Sequence, residues 1–151
     1  MQETHRSIAA AILVDDAGRL VFQLRDNLPT IGHPGHWGLF GGRVEADESP
    51  RAAIVRELWE ELGLAVDERQ LIEHGAFAET PTKTVHLFSY AAGGTIDPAR
   101  LTEGQGLGRF APDMLRDRAD GSLDGHPLIP IVITMVRHFL GAEPEGSAPA
   151  F

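Results

Sequence analysis

The stretch from Gly42 to Leu64 reads GRVEADESPRAAIVRELWEELGL, and it sets Glu48, Arg56, Glu57, Glu60 and Glu61 at fixed spacing between Gly42 and Gly63. Its pattern is G-x5-E-x7-R-E-U-x-E-E-x-G-U, with U apolar, and every defined position is filled. Ser49 can cap a helix, and Pro50 suits a first turn, where a missing N–H costs nothing. Gly63 supplies the stop expected just past a helix end. The spacing therefore predicts a helix from Pro50 to Leu62. At about 100° per residue, Ile54, Val55, Leu58, Trp59 and Leu62 form one apolar stripe, while Glu57, Glu60 and Glu61 gather on the far side.

A solvated helix face is the plain reading of such a cluster. Its energetics argue otherwise. Glu57 precedes Glu60 and Glu61 by three and four residues, and like charges at that spacing destabilise a helix by roughly 0.2–0.5 kcal/mol per pair. Arg56, four residues before Glu60, gives local relief. A hard divalent cation would turn the repulsion into coordination, because Mg²⁺ takes carboxylate oxygens, keeps several waters and bridges to substrate phosphates.

The filled pattern resembles the signature box of the Nudix hydrolase family, and the preceding Trp37-Gly38-Leu39-Phe40-Gly41-Gly42 resembles that family's approach strand. Phe40 stands where many relatives carry proline, a difference that bears on loop shape or substrate choice. The resemblance implies an α/β/α sandwich with a mixed sheet and a box loop-helix, spanning 1–142 as one Nudix domain. It also implies hydrolysis within the phosphate chain of a nucleoside diphosphate linked to another group X, with Mg²⁺ or Mn²⁺ as cofactor. Carried over position by position, Glu57, Glu60, Glu61 and the Gly41 carbonyl would be metal ligands. Arg56 would orient the glutamates through charge-assisted hydrogen bonds. Gly42, Glu48 and Gly63 would support the box, although Glu48 could equally serve as favourable charge at a helix N-terminus. For the general base two candidates stand open: Glu57 in the box, and Glu103 in the later loop Leu101-Thr102-Glu103-Gly104-Gln105-Gly106, where Glu-Gly-Gln resembles a recurring downstream segment.

Composition narrows the partners. The chain of 151 residues carries 13 basic and 22 acidic residues, a formal charge of −9. That balance disfavours a nucleic-acid polymer, whose binding draws on Lys and Arg neutralising phosphates. A small phosphorylated substrate arriving with its metal escapes the objection. The chain has no cysteine, which excludes disulfides, thiolate zinc sites and cysteine nucleophiles. It also argues against an isopentenyl-diphosphate isomerase, whose usual catalytic cysteine could not be supplied. The apolar run Ile8 to Val14 is too short to span a bilayer, and Asp15-Asp16 closes it. No membrane association and a cytoplasmic location are the expectations. A non-catalytic nucleotide-sensing module is the alternative reading, and the resemblance also admits a homodimer.

Outside the box, Ile8 to Val14 and Leu20 to Arg25 read as a strand pair around Asp15-Asp16-Ala17-Gly18. Leu71 to Ala78 and Thr84 to Ala91 read as two more strands, and Gly108 to Ala111 as another. Pro112 to Arg118 reads as a short helix and Pro130 to Leu140 as a last one, stopped by Gly141. The tail from Glu143 to Phe151 is expected to be disordered. Arg25 ends the second strand, where its guanidinium suits a phosphate contact or an ion pair. His36 could line a substrate pocket or lie on the surface. Trp37 and Phe40 could stack a base or pack in the core, and Trp59 is expected to pack. The histidines are scattered, with no H-x-x-x-H pair on a helix, so zinc chemistry is not expected.

Overall fold

A computed structural model describes residues 4–118 and 122–141; the tail expected to be disordered lies outside the described residues. The strand β1 (Arg6–Asp15) runs down the middle of the sheet. Ala9, Ala11 and Leu13 enter one core while Ala10 and Ile12 enter the other, so the strand is buried on both faces and reads as an unbroken apolar run. Around it stand β2 (Leu20–Leu24), β3 (Trp37–Gly38), β4 (Phe40–Arg43), β5 (Ile72–Thr80), β6 (Lys83–Gly93) and β7 (Gly106–Phe110). β1 and β6 pair in parallel, and the other pairings of this sheet are antiparallel. The sheet is therefore mixed.

Helices α1 (Pro50–Leu62), α2 (Pro112–Arg118) and α3 (Pro130–Gly141) cover the two faces. Ala53, Ile54, Leu58 and Leu62 of α1 pack with Ala9, Ala11, Phe40 and Phe88 on one side. Leu115 of α2 and Val132, Met135, Val136 and Leu140 of α3 pack with Ile12, Phe22, Trp37 and Leu87 on the other. The result is the α/β/α sandwich. A small hairpin of β8 (Ser122–Leu123) and β9 (His126–Pro127) precedes α3.

The box helix has the predicted bounds. Ser49 Oγ accepts the Ala52 N–H at 3.0 Å, Pro50 opens the first turn, and Gly63 at φ 60° closes the helix by donating to Trp59 O at 2.8 Å. Its apolar stripe needs one correction. Trp59 is 57% exposed, with the Arg100 guanidinium 5.8 Å over its ring, so it does not pack in the core. Glu61 makes the opposite departure and is only 6% exposed. The stripe is centred on Ile54, Leu58 and Leu62, which turns Trp59 out and Glu61 in.

Candidate active site

Arg56 is the hub of the box. Its Nε and Nη2 grip Glu48 at 2.6 and 2.9 Å, its Nη1 reaches Glu57 at 2.9 Å and Glu60 at 3.3 Å, and Nη2 also donates to the Arg43 carbonyl at 3.1 Å. A planar fork with five donors can meet this many acceptors, where a lysine could not. The grip holds the Glu48 carboxyl down at about 2, chiefly through the Arg56 hydrogen bonds and then the Glu45 N–H, and raises Arg56 further above its usual range. Glu48 thus ties the loop before α1 to the helix.

Glu57 lies on Gly42: a Cβ built there would stand 2.5 Å from Glu57 Cδ. Gly41, at φ 145°, runs so close to β1 that a Cβ would collide with the Ala9 carbonyl, and its N–H donates to Glu61 Oε1 at 3.1 Å. The two glycines before the box therefore let strand and helix close on each other, and each receives one carboxylate. Burial pushes the Glu61 carboxyl up to about 8; the Gly41 N–H opposes this, while the charges of Glu57 and Glu103 add to it. Glu103, from a loop distant in sequence, thus joins Glu57 in acting on Glu61 in the fold.

The four box glutamates do not form a finished ligand cage. Among the described residues no three carboxylate or imidazole groups are gathered as they would be around one ion. Arg56 draws Glu57 and Glu60 to itself and Gly41 holds Glu61, so each carboxylate already has a donor.

The loop after the 3₁₀ turn Pro98–Arg100 closes over the helix end. Thr102 donates its N–H to Glu61 O at 3.1 Å and its hydroxyl to Glu60 O at 3.3 Å. On the other flank Gln23 Nε2 donates to Glu103 O at 2.9 Å, and Gln105 donates its N–H to Leu24 O at 2.7 Å and its amide to Arg25 O at 2.8 Å. The exposed Glu103 is carried by this fastened loop.

Two cavities meet at Arg25, whose Nε donates to Gly32 O at 2.8 Å. One, about 200 Å³, is polar and lined by Gln23, Arg25, Asp26, Ile31, Glu103 and Gly104. The other, about 180 Å³, lies between β1, β6 and α3, with apolar walls that include Ala10, Leu39, Val85 and Met135. At its rim stand Arg25, His33 and the Lys83–Glu79 ion pair at 3.0 Å. Neither Phe40 nor His36 lines these two cavities. Phe40 has no exposure and packs under α1 with Leu58 and Phe88, because alternation along β4 turns its ring into the core. His36 does not line either cavity; its Nδ1 sits 2.9 Å from Pro34 O and its ring meets that of His33, which takes the lining position instead. Trp37 is core, donating Nε1–H to Leu123 O at 2.8 Å.

Sequence reasoning missed Gln23, Thr102, His33 and Lys83. Gln23 left a signal, a lone amide inside the apolar run LVFQL. The others needed the fold.

Comparison with known proteins places this geometry. A family profile described as NUDIX domain matches residues 4–128. A MutT-like protein of Streptomyces ambofaciens is 29% identical over 113 residues, covering 74% of this chain and 67% of that protein. An 8-oxo-dGTP diphosphatase of Haemophilus influenzae is 32% identical over 102 residues, 65% of this chain and 70% of its own length. The solution structure of the E. coli ORF135 protein superposes with a TM-score of 0.64 at 27% identity, covering 98% of this chain and 96% of that one.

Proposed function

The chain belongs to the NUDIX family, and from that premise we propose that it is a Mg²⁺-dependent pyrophosphohydrolase acting on a nucleoside triphosphate or another nucleoside diphosphate derivative. It is a hydrolase of pyrophosphate bonds, as family and diphosphatase relatives indicate. The observation that carries the finer reading is the crowding of carboxylates: buried Glu61 lies against Glu57 and feels Glu103, while among the described residues Arg56 alone pairs with Glu48, Glu57 and Glu60.

Such a set of oxygen donors with surplus negative charge fits a hard divalent cation. Glu57, Glu60, Glu61 and the Gly41 carbonyl would hold it. When bound, it would supply a Lewis acid that neutralises charge on bridging phosphate oxygens. Arg25 binds the phosphate chain where the two cavities meet, and the apolar cavity receives the base or other X group. Glu103 takes the proton of the attacking water: it is exposed beside the polar cavity, whereas Glu57 is tied to Arg56 and seated on Gly42. The new P–O bond forms as the anhydride P–O bond breaks, and the leaving phosphate group carries away the electron pair.

The test is product release with Mg²⁺ from a panel of nucleoside triphosphates, ADP-ribose, nucleotide sugars and dinucleoside polyphosphates. Cleavage of one class, abolished by a chelator, is expected and names X. Nucleotide binding without turnover across the panel would overturn hydrolysis in favour of sensing.

A further inference from the structure

Gln23 is a buried amide among apolar neighbours. Leu20, Val21 and Phe22 of β2 have at most 1% exposure, and Gln23 has 5%. Burying an amide is unfavourable unless it is hydrogen-bonded, and a leucine or valine would fill such a position without that requirement. The amide goes to the carbonyl of Glu103, 80 residues away, at 2.9 Å.

The loop is built to accept that bond. Gly104, at φ 84°, lies so close to β2 that a Cβ would stand 2.7 Å from Leu24 O and 2.9 Å from Gln23 Cγ. Only glycine allows both the conformation and the approach. Thr102 ties one flank to the carbonyls of Glu60 and Glu61, and Gln105 ties the other to the carbonyls of Leu24 and Arg25. Between these flanks, the bond from Gln23 reaches Glu103 itself.

We propose that Gln23 is a positioning residue for hydrolysis, fixing the Glu103 backbone so that its carboxylate stands between the polar cavity and Glu61. The proposal rests on the reading of Glu103 as the group that takes the water proton. Gln23 also lines the polar cavity, and the role assigned to it runs through its bond to the Glu103 carbonyl.

The test is a cycle of Gln23→Met, which keeps the length of the side chain, with Glu103→Gln. It is read as kcat and KM on the best-cleaved compound of the Mg²⁺ panel. Gln23→Met is expected to lower kcat about tenfold with KM within about twofold, and the double variant to fall no further than Glu103→Gln alone. Wild-type turnover in Glu103→Gln would refute the base assignment on which the proposal rests. A loss in Glu103→Gln with none in Gln23→Met, or fully additive losses, would refute the positioning role while leaving that assignment intact.

Amide exchange gives a reading that needs no substrate. Gln23→Met and Gly104→Ala, which disturb the contact from opposite sides, should each speed exchange of the Gln105 N–H about tenfold and leave the β1 amides unchanged. Unchanged exchange at Gln105 in both variants would overturn the anchor.

Discussion

Gly42 is where one atom decides whether the box helix can sit as it does. Its backbone is not in the left-handed region, so alanine there carries little conformational strain, yet the added Cβ would lie 2.5 Å from Glu57 Cδ. Gly42→Ala is expected to cost at least about tenfold in kcat through displacement of Glu57 while the melting temperature falls by only a few degrees, of the order of 1 kcal/mol. Equal losses in an unrelated surface Gly→Ala variant would remove this explanation. Arg56→Ala should do more harm. It strands Glu48 and Glu57 without their cation, and urea unfolding should show a loss of about 1–3 kcal/mol, less than for a fully buried pair because Arg56 remains partly exposed. At this scale the box residues were legible because their spacing is short and local. The sequence left Phe40 and His36 open, because a strand's alternation and a loop's path decide which side chain faces a cavity. Gln23 and Thr102 act on residues 80 and about 40 positions away, a distance that periodicity does not bridge.

The box helix and the first hairpin show different ways an element is held. Ser49 and Gly63 close α1 at both ends, and those signals are in the sequence itself, so the predicted bounds match. Ser49→Ala should cost about 1 kcal/mol in chemical denaturation. Leu58→Ala, at a site with no exposure, should cost about 2–5 kcal/mol, whereas Trp59→Ala on the exposed side should cost far less. The β1–β2 turn is held instead by Asp15, whose side chain is fully buried. Burial alone would raise its carboxyl, but the Arg19 N–H, the Arg109 guanidinium and the Ala17 N–H together bring it from 3.8 to about 2. A depressed folded-state value means its stabilisation is present above the ordinary 3.8 and is lost as the pH falls toward 2. Denaturant midpoints measured from pH 5 to pH 2 should decline less steeply in Asp15→Asn, by roughly 2 kcal/mol over that window. A parallel decline in both proteins would mean that Asp15 is not a source of the acid sensitivity. Arg109 lies on β7, so this ion pair also joins distant segments, and the sequence showed only the turn.

At the scale of the whole molecule, one mixed sheet covered on both faces brings two stretches of chain, the box and the Glu103 loop, to the same end of α1. The strands buried on both sides were readable as apolar runs; the parallel pairing of β1 with β6, and the insertion of β4 beside β1, were not, because pairing partners leave no local mark. No described helix is long and apolar enough to cross a membrane. At the box, carboxylates outnumber the guanidinium that holds them. We propose that this excess charge works with a divalent cation on a phosphate chain. The most direct measurement is the initial rate of product release against Mg²⁺ concentration for the wild type and for Glu57→Gln, on the best-cleaved compound of the panel. A saturable rise from a negligible rate without Mg²⁺ is expected, with at least about a hundredfold lower plateau in Glu57→Gln. Turnover that is independent of Mg²⁺, or equal in the two proteins, would contradict it.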